Sequence, residues 1–309
     1  MGNVLTQAAV YLTLLALGYG FKRAGIFRSS DAGFLKSVIL YVTMPAVAVN
    51  GLKDLVLRPS FAWCFAIGCL TCAALTAAGA ALTGKAPLGS RLAYLFSINS
   101  FNVGNFAIPF LTGLISTDGF AALCLFDIAC TIFLYGVDFG LAEGYKGSGG
   151  FSPRLLARKI FTSPITMTYF AMLALAAAGL RLPAPVLKLA EVAGNANGFL
   201  AMLSIGILFE CRFRREDLAA TVKFFLMRYG VTIPLAAAVW LAAPLPGDIR
   251  QAVCVLMMAP VASVAPLLTS NAGGDAAKAA QINSVGILLG IVMMVAAYAL
   301  TGALAGTAA

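Results

Sequence analysis

Long apolar stretches, separated by short polar loops, make up most of the chain. The stretches are of helix length, and none shows the alternation of polar and apolar residues that is typical of strands. Ten of them are long enough to cross a hydrocarbon core of about 30 Å, which takes roughly 20 residues. Numbered 1 to 10, they lie at about 3–21, 33–52, 60–83, 92–116, 118–141, 156–180, 184–209, 218–243, 250–272 and 277–304. The pattern predicts an all-α membrane protein with ten transmembrane helices.

A polar stretch at residues 142–155 divides the ten predicted spans into five and five. It is rich in glycine and serine, a composition typical of a flexible linker. Since each half has an odd number of spans, the second half must insert upside down relative to the first. We therefore expect two inverted five-helix repeats, residues 1–141 and 156–309, joined by this linker.

The fourth and ninth predicted spans have centres that disfavour a continuous helix. Proline removes a backbone donor, glycine loosens the helix, and asparagine amides are costly at membrane depth. A shift of 157 positions carries Pro109 in span 4 onto Pro266 in span 9, and Asp118 onto Asp275, as an internal repeat would. A backbone broken inside a membrane needs cover from protein or a water-filled cavity, and secondary transporters bind their substrates at such breaks.

The candidate substrate-binding residues lie at these two breaks and at the polar start of span 10. They are Asn102, Gly104, Asn105, Pro109, Pro260, Ser263, Pro266 and Asn283. A helix that is merely kinked at proline and covered by its neighbours is the plainer interpretation of each break. The three asparagines of span 4, Asn99, Asn102 and Asn105, favour a binding site instead, because buried amides need hydrogen-bond partners.

Few ionisable residues lie inside the predicted spans. Asp127 and Arg228 each lie about nine residues from the start of their span, which at about 1.5 Å per residue is roughly 13 Å deep. Two interpretations are open: the two side chains form an ion pair with each other, or they take part in binding a proton or the substrate during transport. Lys36 and Asp138 lie near span ends, where we expect their side chains to reach the membrane surface.

The composition agrees with a membrane protein and argues against several other classes. Of the residues, 61% are hydrophobic and 11% are charged, against about 25% charged in soluble domains. The formal net charge of +9 comes mainly from loop residues, so it indicates membrane topology and not a nucleic-acid partner. Histidine is absent, and of seven cysteines only Cys69 and Cys72 are closely spaced, so we expect no metal or other cofactor. An intramembrane enzyme, the rival from another class, needs a nucleophile beside an activating base, and no such motif stands out.

Basic residues are distributed unevenly between the two sets of loops. The loops after spans 1, 3, 5, 7 and 9 hold fourteen lysines and arginines, and the opposite loops hold five. The five are Lys53, Arg58, Arg181, Lys188 and Arg250. Because short cytoplasmic loops are enriched in basic residues, we expect a plasma-membrane protein with the linker in the cytoplasm and both termini outside.

The two broken spans resemble those of the auxin efflux carrier family. Bacterial members carry a motif of the type Asn-Thr-Gly-aromatic-aliphatic-Gly-Ile-Pro in span 4. Asn102, Gly104, Ile108 and Pro109 match that motif, whereas Val103, Asn105 and Ala107 depart from it. The proline-broken centre of span 9, the Asp275 that follows it and the polar start of span 10 at 283–286 also fit the family. Span count, polarity and linker position extend the resemblance over essentially the whole chain.

The resemblance implies a secondary carrier for small organic anions, such as malate-like, malonate-like or auxin-like carboxylates. Spans 1, 2, 6 and 7 would form a scaffold and a homodimer interface, and the other spans a transport domain that moves against it like an elevator. Spans 4 and 9 would cross at their breaks, where helix N-termini attract anions. A sodium-coupled bile-acid-type symporter shares the crossed-helix plan, but that resemblance implies a glutamate on span 9, which has no carboxylate here. Proton coupling is left open.

Overall fold

The computed structural model describes residues 2–147, 149–209 and 214–307, which form helices joined by short loops. In chain order the helices are α1 (Gly2–Arg23), α2 (Asp31–Leu52), α3 (Ser60–Thr83), α4 (Leu88–Ile98), α5 (103–111), α6 (Thr117–Lys146), α7 (Pro153–Thr162), α8 (Pro164–Ala177), α9 (Ala184–Leu208), α10 (Leu218–Ala242), α11 (Gly247–Leu256), α12 (Ala265–Asn271) and α13 (Ala276–Thr307). Three of them, α2, α5 and α6, contain a π-helical turn, at Ile39–Thr43, Val103–Ala107 and Phe133–Asp138. Within the described ranges the one strand-like feature is an isolated bridge.

Seven helices in the described part of the chain are long and apolar enough to cross a membrane, namely α1, α2, α3, α6, α9, α10 and α13. The chain is therefore an all-α protein with several membrane-crossing helices, as the hydrophobic pattern predicts. The three other predicted spans, at 92–116, 156–180 and 250–272, each consist of two helices. The count of ten spans and the internal repeat stay predictions.

The predicted span at 156–180 is bent by 75° between α7 and α8. Ser163 lies at the bend with φ −82° and ψ 113°, an extended conformation that suits the residue before a proline. Its hydroxyl accepts a hydrogen bond from the N–H of Thr166 at 3.4 Å, which caps the start of α8. The dipeptide Ser163-Pro164 thus ends one helix and begins the next.

The N-terminal helix α1 packs closely on the second half of α9. Gly18 and Gly206 lie at this contact, where a Cβ on Gly18 would overlap the carbonyl oxygen of Leu203 and one on Gly206 that of Leu15. Small residues let helix backbones approach this closely inside a membrane. Helix α2 packs on α8 and on the first half of α9, so α1, α2, α8 and α9 form one group of helices.

The remaining long helices, α3, α6, α10 and α13, belong to a second group. Helix α6 contacts α3 and α11, and α13 in turn contacts α11 and α12. Fully buried apolar side chains such as Phe126 and Val253 fill this second group. Since lipid is as apolar as these side chains, close van der Waals packing stabilises them more than exclusion of water does. The two groups meet where α5 contacts α9 and α6 contacts α2, so both broken segments lie in the second group.

Candidate functional site

The two breaks predicted from the sequence, one after α4 and one after α11, pair with each other. Phe101 and Val261 form an antiparallel bridge between them. The N–H of Asn102 donates to the carbonyl of Pro260 at 2.9 Å. In the other direction, the N–H of Ala262 donates to the carbonyl of Ser100 at 2.8 Å. The pairing satisfies backbone groups that broken helices leave free, as the interior of a membrane requires.

Pro109 and Pro266 occupy equivalent places after the two breaks. Pro109 lies in the first turn of the α-helical part of α5, and Pro266 lies in the first turn of α12. Proline suits the first turn of α12, because its missing N–H would have no intrahelical acceptor there, whereas Pro109 follows the π-helical turn of α5 directly. Pro109 is buried, and its carbonyl accepts a hydrogen bond from the hydroxyl of Tyr11 at 2.6 Å. Pro266 therefore marks the start of α12, and Pro109 marks the point where the π-helical turn of α5 gives way to an α-helix.

Arg228 on α10 holds the first halves of both broken segments. Its side chain is fully buried, and Nη1 donates to the carbonyl of Ser97, at 3.0 Å, and to that of Ile98. Nη2 donates to the carbonyl of Ala259 at 3.3 Å, and the guanidinium lies 4.3 Å from the ring centroid of Phe101. A cation at helix C-termini is favourable, because the last carbonyls have no intrahelical donor. Arg228 thus joins the end of α4 to the segment that follows α11.

Arg228 does not pair with Asp127, which is one of the two interpretations that the sequence leaves open. In the described part of the chain, Arg228 donates to the three backbone carbonyls, and no ion pair joins it to Asp127. Asp127 lies half-buried on α6, where its Oδ2 accepts a hydrogen bond of 3.4 Å from the hydroxyl of Tyr169. Because Tyr169 belongs to α8, this contact spans the two groups of helices.

A cavity of about 450 Å³ lies beside the paired breaks. Five of the predicted site residues line it, namely Asn102, Gly104, Asn105, Ser263 and Asp127. Two lysines that the sequence does not single out as site residues, Lys36 and Lys159, also line it. The wall comes from both groups of helices, with α2 and α8 on one side and α6 and the two breaks on the other. The volume is that of a small-molecule site, for which about 300–1,000 Å³ is typical.

The other predicted site residues position the breaks and do not line the cavity. They are Pro109, Pro260, Pro266, Asn283 and Arg228. Asn283 on α13 donates from Nδ2 to the carbonyl of Val261 at 2.9 Å, which fixes the second break against α13. These residues can therefore affect a ligand through the shape of the site, without touching it.

Asn102, which lines the cavity, has a buried side-chain donor without a hydrogen-bond partner. Its side chain is 3% exposed, and Nδ2 has no hydrogen-bond partner. The side chain does not cap the helix that follows it, so no group within the described protein uses this donor. A buried donor without an acceptor costs about 1–3 kcal/mol, which a ligand oxygen would recover. The backbone N–H groups at the start of α5 point to the same chemistry, since helix geometry leaves the first ones without an intrahelical acceptor.

The ionisable groups of the cavity wall carry more positive than negative charge. Lys36 and Lys159 stand against Asp127, the one carboxylate among the described lining residues. The ion pairs of lysines elsewhere in the described ranges involve Lys146, Lys188 and Lys278, and neither cavity lysine forms one. Nζ of Lys159 instead lies 5.2 Å from the ring centroid of Tyr135. This balance of charge favours an anionic ligand.

A buried polar cluster adjoins the cavity and includes a residue whose predicted position is wrong. The sequence places Asp138 at the membrane surface, but its side chain is 0% exposed. Its carboxylate accepts hydrogen bonds from Nδ2 of Asn99, at 3.1 and 3.2 Å, and from the hydroxyl of Thr76 at 3.1 Å. Asn99 also lines the cavity, so the cluster joins α3 and α6 to the first break. The sequence gives no signal for this position, because the π-helical turn at Phe133–Asp138 shifts the helical period between Asp127 and Asp138.

No family model matches the chain, and no curated protein matches its sequence. Among the described residues, no group of three or more His, Cys, Asp or Glu side chains could hold a metal ion. What the site can do therefore follows from its own geometry: an amide donor without a partner and two lysines, beside a cavity where two broken helices meet.

Proposed function

We propose that the protein is a secondary carrier for small organic anions. The observation that carries this proposal is the unpartnered Nδ2 of Asn102, buried in the wall of a cavity that two lysines also line. A carboxylate oxygen would accept the hydrogen bond that this amide lacks, and the lysines would balance the negative charge. The resemblance to the auxin efflux carrier family supports the same function, with malate-like, malonate-like or auxin-like carboxylates as the expected substrates.

An anion fits the cavity better than a cation or an apolar molecule does. The amides of Asn102 and Asn105, the hydroxyl of Ser263 and the first N–H groups of α5 can all donate to oxygen. The start of α5 adds a partial positive charge from its unpaired N–H groups. A cation would find Asp127 alone among the described lining carboxylates, beside two lysines that repel it.

The proposed architecture is ten membrane spans in two inverted halves. Seven long helices, together with the pairs α4–α5, α7–α8 and α11–α12 counted as one span each, give ten. The equivalent positions of Pro109 and Pro266 and the antiparallel pairing of the breaks support the repeat. The basic loop residues support a cytoplasmic linker and outer termini in a plasma membrane.

The proposed mechanism is movement of one group of helices against the other. Helices α1, α2, α8 and α9 correspond to the scaffold spans 1, 2, 6 and 7 of the expected architecture, and they pack mainly on one another. The group that holds both breaks contacts them through hydrogen bonds such as those of Tyr11 with Pro109 and Tyr169 with Asp127. Because the cavity lies between the groups, sliding would open it to one side of the membrane at a time. The scaffold group would also supply the homodimer interface.

Replacement of the cavity asparagines tests the proposal. Asn102→Leu removes the amide donor at similar volume, and Asn105→Leu does the same at the next turn. In liposomes, each variant should bind malonate or malate about 10-fold more weakly, or lose saturable uptake altogether. Asn271→Leu is the matched control, since Asn271 is exposed at the end of α12, and it should transport normally. Unchanged affinity in both cavity variants would remove the assignment of the site.

We propose Asp127 as the residue that couples transport to protons. It lies in the cavity wall, and its bond to Tyr169 spans the two groups of helices that would move. Arg228, the other coupling candidate, is already committed to three backbone carbonyls. Asp127→Asn should still bind and exchange substrate but should lose accumulation driven by a pH gradient. Full gradient-driven accumulation in this variant would exclude the coupling role.

A further inference from the structure

Helix α7 is a short basic helix without a buried side chain. Its ten residues include Arg154, Arg158 and Lys159, and no acidic residue. It follows the glycine-rich linker, and its axis is bent by 75° from that of α8. A helix of this kind does not continue the apolar helix beside it.

The inner side of α7 packs on the protein. Leu156 and Ile160, four residues apart, are half-buried, and Leu156 lies against Gly136 of α6. Lys159 is also half-buried, and it lines the cavity. These contacts fix which side of α7 faces outward.

The outer side of α7 carries two arginines and a phenylalanine. Arg154 and Arg158 are one helical turn apart and exposed, and Phe161, on the same side, is 68% exposed. Among the described residues neither arginine forms an ion pair, in contrast to Arg58 and Arg214. Basic and aromatic side chains together on an exposed helix face are typical of helices that lie in a membrane interface.

We propose that this outer face, formed by Arg154, Arg158 and Phe161, binds the headgroup of an anionic phospholipid, with α7 lying along the membrane surface. The bend supports this orientation, because α8 is the part of the proposed sixth span that crosses the membrane, and α7, at 75° to it, then runs nearly parallel to the membrane plane. The guanidinium groups match phosphate oxygens in charge and geometry, and the phenyl ring reaches the adjoining acyl region. A soluble phosphate would leave the exposed ring without a partner. The proposal concerns lipid binding alone and does not depend on transport.

Native mass spectrometry of the full-length protein in detergent measures this binding directly. Phosphatidylglycerol should bind more tightly than phosphatidylcholine. The double variant Arg154→Gln/Arg158→Gln should lose about 10- to 30-fold in affinity for phosphatidylglycerol and little for phosphatidylcholine. The matched control is Arg23→Gln/Arg28→Gln, which removes one exposed charge at the end of α1 and one in the loop that follows, and this variant should keep the preference for phosphatidylglycerol.

Two results in that experiment would overturn the proposal. An equal loss in both double variants would show attraction to total charge and not to this face. Competition by glycerol 3-phosphate at the concentration of the lipid would show a site for a soluble phosphate.

A second measurement serves if the double variant does not fold. Phe161→Trp is introduced after replacement of the two native tryptophans, Trp63 and Trp240, by phenylalanine. In lipid nanodiscs, brominated phosphatidylglycerol should quench its fluorescence strongly, because bromine quenches over short distances at the membrane interface. Fluorescence equal to that in unbrominated lipid would place α7 away from the bilayer and overturn the proposal.

Discussion

Replacement of Arg228 tests how the two breaks are held together. Arg228→Met keeps a long side chain but removes the hydrogen bonds to the carbonyls of Ser97, Ile98 and Ala259. Each buried acceptor left without a donor costs about 1–3 kcal/mol, whereas the cost of burying the arginine itself is relieved. Three unsatisfied acceptors at about 1–3 kcal/mol each, less the relieved cost of burying the charge, give an expected net loss of about 3–5 kcal/mol.

Thermal unfolding in detergent measures this loss. At about 2 °C per kcal/mol for a chain of this size, Tm should fall by about 6–10 °C. The Tm of Arg228→Lys should fall by less than that of Arg228→Met, because lysine keeps the charge. It should still fall, because lysine cannot reach three carbonyls in the same geometry. Arg181→Met is the control for loss of an exposed arginine, and its Tm should stay within about 1 °C of the parent.

Two outcomes would refute the reasoning about Arg228. An unchanged Tm in Arg228→Met would show that the three hydrogen bonds do not stabilise the breaks. Recovery of Tm in the double variant Asp127→Asn/Arg228→Met would show that the two charges pair after all. Since no contact joins these side chains, we expect the two single effects to add.

Three further predictions concern packing, the buried cluster and topology. Gly18→Leu should separate α1 from α9 and abolish the folded monodisperse peak in size-exclusion chromatography, whereas Gly20→Leu, with open space around it, should not. Asp138→Ala should lower Tm by about 2–6 °C, and Asp138→Asn should lower it by less, because asparagine keeps an acceptor for the hydroxyl of Thr76 and the amide of Asn99. Equal losses of Tm in the two variants would argue that these hydrogen bonds do not stabilise the protein. Gly150→Cys, in a background without other reactive cysteines, should react with an impermeant maleimide only after cells are opened. Labelling in intact cells would place the linker outside.

Much of the fold follows from apolar length and helix-breaking residues. Lipid forces backbone groups to pair within helices, so long apolar stretches predict spans, and proline and glycine within them predict breaks. The same reasoning places Asn102, Asn105 and Ser263 together, since breaks at matching places in two halves of a carrier meet at one site. The cavity lined by these residues agrees with that expectation.

The remaining features depend on contacts that the sequence does not encode locally. Arg228 is recognisable as a buried charge, but its acceptors are backbone carbonyls, which any residue type supplies. Lys36 and Lys159 resemble ordinary lysines at span ends, and only the packing of their helices brings them to the cavity. The position of Asp138 depends on the π-helical turn at Phe133–Asp138, which turns the end of α6 in a way that a 3.6-residue period does not predict.

Counterflow in liposomes tests the proposed carrier most directly. Vesicles that contain the protein are loaded with unlabelled malonate, malate or an auxin-like carboxylate and diluted into a trace of the same compound in radiolabelled form. With no sodium or pH gradient, label should accumulate transiently above its equilibrium level, because a carrier exchanges one anion for another through one site. The accumulation should saturate and should be lost in Asn102→Leu. Label that only equilibrates, or that enters no faster than into protein-free vesicles for every carboxylate tried, would contradict the claim that this cavity carries organic anions.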